Sequence, residues 1–267
     1  MKELDFIRKI AEEAAVEAGG YILTRRDTVK EISMKRGITD LVTDVDKKSE
    51  AMILKKIRKN FPGHSILAEE SGGDRLSSDF LWVIDPLDGT TNFTHGLPVF
   101  CVSIGVMYKN DIVAGVVYDP NRDELFTAQR GQGAVLNDEK ISVSGNEKLE
   151  KSLISTGFAY DLEKKTGNLK KFELILNKAQ AVRRPGAAAI DLCYVACGRF
   201  DAFWESYLSA WDTAAGQLIV KEAGGRITGF QNEEYNIFDK HILASNALVH
   251  EEIIQLFRQD NSGSNKV

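Results

Sequence analysis

Apolar residues recur at helical spacing near the start of the chain. Leu4, Ile7, Ala11, Ala14, Ala18 and Tyr21 share one face, which predicts an amphipathic helix of about 20 residues. Thr43 followed by Asp46 has the form of a capping box opening a second helix, in which Ile53, Leu54, Ile57 and Phe61 fall on one face. Pro62-Gly63 ends it. Between the two helices, Asp27 to Asp40 is polar, carries Gly37 near its end, and reads as a mobile loop or a weak hairpin.

The period then changes. Ser65 to Ala68 and Phe80 to Ile84 read as short buried strands, with Pro86 expected to stop the second from pairing further. Val99 to Tyr108 and Ile112 to Tyr118 flank Lys109-Asn110-Asp111 as a hairpin, and Glu124 to Gln129 adds another strand. The first half thus predicts a helix pair followed by an antiparallel sheet. Beyond about residue 150 the types alternate. Strands are expected at Leu153 to Thr156, Ala181 to Arg184, Ala202 to Glu205, Ile227 to Thr228 and Ile242 to Ala244. Helices are expected at Leu162 to Asn177, Ala187 to Cys197, Thr213 to Ala223 and His250 to Phe257, with a frayed tail from Gln259 to Val267. The pattern predicts two halves, an α+β unit over residues 1–150 and an α/β unit over 151–267, layered against each other.

Composition narrows the class. The 267 residues are 43% apolar and 27% charged, an ordinary globular mix. A net charge of −5 gives no basic field to draw the chain onto nucleic acid, which is not an expected partner. Charges interrupt the opening MKELDFIRKI where a secretory signal needs an apolar core, and no run approaches the roughly 18 apolar residues of a membrane span. Three cysteines are an odd number, too few for a disulfide framework, and fit a reducing, cytoplasmic compartment.

The chemistry concentrates in WVIDPLDGTTNF, residues 82–93. A buried strand ends in Asp85, Asp88 follows three residues later, and Gly89, Thr90 and Thr91 offer N–H groups and hydroxyls. DPLDG alone is an acidic turn; with the strand before it and Gly-Thr-Thr after it, a cation between two carboxylates and a phosphate is the better reading. Glu69-Glu70 taken alone is a solvated turn, and Asp212 taken alone is equally a helix cap. Yet Glu69 and Asp85 each end a strand and Asp212 begins a helix, so one edge of the fold can collect them. Two carboxylates about 4 Å apart repel by roughly 4 kcal/mol at an effective dielectric near 20, which a divalent cation removes. Oxygen-only ligands favour Mg²⁺ or Mn²⁺. The four histidines show no ligand spacing, and Cys193 and Cys197 read as buried thiols, so zinc is not expected.

Taken together, LVTDVD at residues 41–46, AEES at 68–71, DPLDGTTNF at 85–93 and WDTAAG at 211–216 resemble the inositol monophosphatase family over nearly the whole chain. That resemblance implies a layered α-β-α-β-α sandwich of the sugar-phosphatase type, α+β in one half and α/β in the other. It implies a lithium-sensitive, Mg²⁺-dependent phosphomonoesterase with two or three ions, and a homodimer. By position, Glu69, Asp85 and the Leu87 carbonyl hold one ion, and Asp85, Asp88 and Asp212 the second. Gly89 and Thr90 contact phosphate, Asp46 hydrogen-bonds Thr90, and Thr90 with Glu69 activates water. Glu205 and the Ala188 backbone meet a phosphorylated polyol or sugar. Lys35 falls at a lid position near the catalytic water, although a solvated basic loop explains it nearly as well.

Two positions depart from the family pattern: Ala68 stands where many relatives have Gly, and Ala187 where a hydroxyl residue is common. The second loosens any preference for inositol phosphate by roughly 1 kcal/mol of recognition. Fructose 1,6-bisphosphatase activity is one alternative. A non-catalytic role in RNA or transcription complexes is the other, with Arg183-Arg184 as the surface to watch.

Overall fold

The computed structural model describes residues 2–28, 32–37, 40–73, 78–158 and 162–263, with side chains described over 2–28, 43–73, 78–158 and 168–259. Two helices open it, α1 (Lys2–Arg25) and α2 (Asp44–Asn60), with the hairpin β1 (Ile32–Gly37) and β2 (Asp40–Thr43) between them. Residues 32–37 and 40–43 therefore pair antiparallel, which favours the hairpin reading over the loop. A seven-stranded sheet follows: β3 (Ser65–Ala68), β4 (Phe80–Asp88), β5 (Cys101–Tyr108), β6 (Asp111–Asp119), β7 (Glu124–Gln129), β8 (Ala134–Leu136) and β9 (Glu139–Lys140), paired in chain order. Short α3 (Thr90–Thr94) interrupts it after β4. The second sheet runs β11-β10-β12-β14-β13, built from β10 (Leu153–Thr156), β11 (Ala181–Arg183), β12 (Ala202–Ser206), β13 (Arg226–Thr228) and β14 (His241–Ser245). Its helices are α4 (Leu162–Leu176), α5 (Ala188–Ala196), α6 (Ala210–Glu222) and α7 (His250–Gly263). Among the described residues, no helix is long and apolar enough to cross a membrane.

Burial explains the layering. A sheet with two apolar faces must be covered on both, and β4, β5 and β6 are buried almost throughout. One face takes α1 and α2, whose Ile7, Ala14, Ile53 and Ile57 pack on Trp82, Ile104 and Val116. The other takes α5 and α6, which lie between the two sheets. The far face of the smaller sheet is closed by α4 and α7. The result is the expected five-layer α-β-α-β-α stack.

Four expectations need correcting. β3 pairs with β4 in parallel, so the large sheet is mixed. β4 does not stop at Pro86: it resumes pairing at Asp88 after a bulge, a place where the missing proline N–H breaks no ladder bond. α6 begins at Ala210, three residues before the apolar periodicity, because Ser209 caps it. α7 continues through Gly263 where fraying from Gln259 was expected.

His250 opens α7 fully buried, with Nε2 2.9 Å from Thr228 Oγ1 and Nδ1 2.8 Å from Ser245 Oγ. Burial lowers its pKa from 6.5 to about 4, with Arg226 adding to the effect. A depressed folded value means that the unfolded chain takes up the proton first. The stability contributed by the neutral ring is complete above pH 6.5 and is lost as the pH falls toward about 4. That shift is worth roughly 3 kcal/mol. His250→Asn, compared with the parent by urea unfolding, is expected to close its stability deficit by that amount between pH 7 and pH 4; a constant deficit contradicts the assignment.

Candidate active site

The acids are assembled by three unrelated devices. The first is the parallel pairing of β3 and β4, in which Ala68 is opposite Ile84. The next residues, Glu69 and Asp85, therefore leave neighbouring strands on the same side of the sheet, and the Glu69 N–H still reaches the Ile84 carbonyl at 3.2 Å. Adjacent strands lie about 4.8 Å apart, so this register alone makes the two acids neighbours. An antiparallel pairing would have sent the chain end carrying Glu69 the other way.

The second device is the bulge. Asp85 pairs with Ser103 and Asp88 with Cys101, so β4 spends one residue more than β5 over this interval. Residues three apart in a regular strand face opposite sides; the extra residue lets Asp85 and Asp88 act on each other. The turn closes on Gly89 at φ 91°, where a Cβ would stand 2.7 Å from the Val99 carbonyl oxygen, so no other residue fits without strain.

The third device brings in the second half of the chain. Ser103, opposite Asp85, donates its hydroxyl to the Trp211 carbonyl at 3.3 Å, which places the start of α6 beside β4. Asp212 is the third residue of that helix, and its Oδ2 accepts from the Ser209 N–H at 2.6 Å. The capping role and the proximity to the other acids coexist. On the same side, Asp88 Oδ2 accepts from the Ala189 N–H at 2.7 Å, at the N-terminus of α5.

The electrostatics record the convergence. Burial raises Asp85 well above the ordinary carboxylate range, and the charges of Glu69, Asp88 and Asp212 raise it further. Asp212 is raised in the same way by burial, Asp88 and Glu69. Asp88 is pushed up to about 7, chiefly by burial, against the stabilising Ala189 N–H. Such a cluster is costly without a counter-ion, and its donors are hard oxygens, the set that Mg²⁺ takes. As the side chains stand, no group of three or more His, Cys, Asp or Glu among the described residues is disposed to enclose an ion. The donor chemistry fits the ion.

Beside the acids, Thr90 Oγ1 lies 2.8 Å from Asp46 Oδ1 and 3.0 Å from the Leu87 carbonyl oxygen. Asp46 Oδ2 completes the capping box of α2, accepting from the Thr43 N–H at 2.8 Å. Burial raises Asp46 while its hydrogen bonds from Thr43 and Thr90 oppose the rise. Glu205 sits buried in β12 and is pushed up to about 8, by burial first and then by Asp88. Ala188 is the first residue of α5. Lys35 falls in β1, and its side chain lies outside the described residues. Cys193 is buried as expected and Cys197 only half-buried.

Sequence reasoning passed over several residues that build this site. Ser49 donates to the Pro86 carbonyl at 2.8 Å and fixes the bulge against α2. Glu50 accepts from the Glu70 N–H at 2.8 Å and fixes the end of β3. Asn92 holds the Val99 and Pro185 carbonyls at 2.8 and 2.9 Å, tying the two halves together. A signal for the first two existed: Asp46, Ser49 and Glu50 fall on the same face of α2 as Ile53 and Ile57, and polar groups on a buried face need a structural reason.

Comparison with known proteins widens this picture. The family model described as the inositol monophosphatase family matches residues 3–262. The chain is 46% identical over 249 residues to an inositol-1-monophosphatase of Synechocystis, covering 92% of this chain and 87% of that one. It is 45% identical over 244 residues to the Nus factor SuhB of Pseudomonas aeruginosa, covering 89% and 90%. The solved inositol monophosphatase of Anabaena superposes with a TM-score of 0.87 at 42% identity, covering 96% and 97%. A solved IMPase/NADP phosphatase complexed with Mg²⁺ and phosphate superposes with a TM-score of 0.83 at 26% identity, covering 95% of each chain. The chain therefore belongs to the inositol monophosphatase family and is a phosphatase.

Proposed function

We propose that this phosphatase hydrolyses inositol 1-phosphate or a related sugar or polyol phosphate, with Mg²⁺, by direct in-line attack of water. The observation that carries the reading is the convergence of Asp85, Asp88, Asp212 and Glu69 beside the Thr90–Asp46 hydrogen bond. Glu69, Asp85, the Leu87 carbonyl, Asp88 and Asp212 would hold two or three ions, and Mn²⁺ suits the same oxygens. Bound there, the ions would supply neutralisation of phosphate oxygens and a more acidic water.

The chain's own groups do the rest. Asp46 accepts the Thr90 hydroxyl proton, which turns the Thr90 lone pairs toward a water, and Glu69 takes the water's proton. The Gly89 and Thr90 backbone and the Thr90 hydroxyl position the phosphate. Glu205 and the Ala188 backbone meet the hydroxyls of the leaving group, and Lys35 belongs to a lid formed by the β1–β2 hairpin. In this reading residues 1–150 carry most of the metal ligands, and 151–267 supply Asp212 and the substrate contacts. A cytoplasmic, lithium-sensitive homodimer completes it.

The relative named as a Nus factor favours a second reading, in which a transcription-associated role accompanies catalysis. The retained acids speak against a purely non-catalytic partner, because unused clustered carboxylates only cost stability.

Phosphate release from inositol 1-phosphate, fructose 1,6-bisphosphate, glycerol 2-phosphate and adenosine 3′,5′-bisphosphate, compared by kcat/KM with and without Mg²⁺, tests the proposal. Mg²⁺-dependent turnover is expected, with inositol 1-phosphate ahead of the adenosine bisphosphate. Thr90→Val should lower kcat by about a hundred-fold and leave KM nearly unchanged. No Mg²⁺-dependent release from any of the four removes the reading, and a clear lead for fructose 1,6-bisphosphate reassigns the substrate.

A further inference from the structure

Gly157 follows the strand that lies beside the one carrying Glu205. β10 runs parallel to β12 with Thr156 opposite Trp204, so the next residues along, Gly157 and Glu205, are neighbours on one side of the small sheet. A side chain at 157 would meet Glu205 head on: a Cβ built there overlaps the carboxyl carbon and both carboxyl oxygens almost equally. A point equally close to those three coplanar atoms stands above their plane. The carboxyl therefore lies face-on against the bare backbone of Gly157, and the missing side chain is its seat.

The seat is itself held by α4. Asn168, 2% exposed on that helix, donates its amide to the Gly157 carbonyl and, at 3.3 Å, to Thr156 Oγ1. Its Oδ1 accepts from Trp204 Nε1 at 2.8 Å, and Thr156 Oγ1 donates to the Trp204 carbonyl at 2.7 Å. Trp204 immediately precedes Glu205. One buried amide thus ties the backbone on which the carboxyl rests to the residue before the one that carries it. A buried polar network bonded at both ends fixes geometry closely, because breaking any member leaves a partner unsatisfied.

We propose that Gly157 and Asn168 are positioning residues: the Gly157 seat, locked by Asn168, sets where the Glu205 carboxyl stands and so how well a hydroxyl-rich leaving group is recognised. The inference rests on Glu205 meeting those hydroxyls, as in the proposed function. It needs position and not charge, since a carboxyl bonds hydroxyls whether ionised or protonated. The carboxyl is the outer end of a flexible side chain, so a methyl group at 157 displaces it and spares the backbone. Recognition of the leaving group then weakens, and chemistry at the phosphate does not.

The test compares inositol 1-phosphate with p-nitrophenyl phosphate, whose leaving group offers no alcohol hydroxyls, at saturating Mg²⁺. Gly157→Ala should raise KM for inositol 1-phosphate by about ten-fold with kcat within about two-fold, and leave both constants for p-nitrophenyl phosphate near the parent values. Its urea midpoint should stay within about 0.5 M of the parent. Asn168→Ala should raise the same KM by about three-fold at a lower midpoint, again sparing p-nitrophenyl phosphate. In a Glu205→Ala background, where the seat is empty, Gly157→Ala should add nothing further. Equal losses on both substrates would mark the two residues as structural, and additive losses with Glu205→Ala would equally overturn the proposal. So would a Gly157→Ala chain that fails to fold, because the backbone and not the carboxyl would then be what yields. If Glu205→Ala raises KM and neither Gly157→Ala nor Asn168→Ala does, this inference alone fails. If Glu205→Ala also leaves KM unchanged, the hydroxyl-recognition reading fails with it.

Discussion

Asp85→Asn is expected to lower phosphomonoester turnover by about a thousand-fold or more while the fold survives. Asp85 is 2% exposed, sits at the bulge of β4, and is the acid on which Glu69, Asp88 and Asp212 all act. Losing one charge there removes an acid that the proposed function assigns to the cation. The structural consequence runs the opposite way. Without a bound cation Asp85, Asp88 and Asp212 are raised acids, and a raised folded pKa stabilises only below the unfolded value. That contribution is complete below about pH 4 and disappears as the pH rises through about 7, the value of Asp88. The metal-free parent should therefore lose stability from this cluster between pH 4 and 7, and Asp85→Asn should lose less. Added Mg²⁺ should raise the melting temperature of the parent and not that of the variant, because a ligand stabilises only the state that binds it. Thermal melts at both pH values, with and without Mg²⁺, and a phosphate-release assay decide it. Near-parental turnover in Asp85→Asn refutes the assignment.

Gly105→Val should unfold at a clearly lower denaturant concentration, with a loss of about 3 kcal/mol or more, and should lose activity together with stability. Gly105 and Gly115 are opposite each other on β5 and β6 and form the floor on which α6 rests. A Cβ on Gly105 would stand 2.6 Å from Ala214 Cβ and 3.0 Å from its carbonyl carbon; one on Gly115 would stand 2.7 Å from the Ala215 carbonyl oxygen. Helix backbone cannot yield as a side-chain tip can, so the helix must lift. Asp212 lies two residues before Ala214 and moves with it. A displacement near 1 Å at a reacting centre can cost about a hundred-fold in rate, so kcat/KM should fall by that order even where the variant stays folded. Gly105→Ala should show the same losses in smaller measure. A valine variant within about 1 kcal/mol and two-fold of the parent would show that α6 does not depend on this close approach.

Much of this molecule was readable before any coordinates. The spacing of Leu4, Ile7, Ala11, Ala14 and Ala18 located α1, and Thr43 with Asp46 located the start of α2, because both signals are written within a few residues. Strands β3, β7, β10 and β12 fell where short apolar runs predicted them, within a residue. What escaped was non-local. Parallel pairing of β3 with β4 is set by where the chain returns after residues 69–79, and neither strand's composition distinguishes it from antiparallel pairing. The bulge at Pro86 reads in sequence as a strand end, since a proline that breaks a ladder and one that sits where no ladder bond is needed look alike. Asp191 lies inside a helix of apolar neighbours, and spacing alone gives no sign that its Oδ1 is buried without a hydrogen-bond partner among the described residues.

Local spacing was enough for most of the elements, the capping box of α2, the candidate ligands and the resemblance to the family. These rest on forces acting within a turn or between adjacent residues, where spacing fixes geometry. Which acids meet, and how deeply they are buried, follows from packing between distant parts of the chain. Asp88 finds the N–H of a residue 101 positions away, and Ser103 the carbonyl of one 108 positions away. Desolvation and Coulomb repulsion depend on distance and burial in space, and a linear chain encodes neither until the two sheets close around α5 and α6.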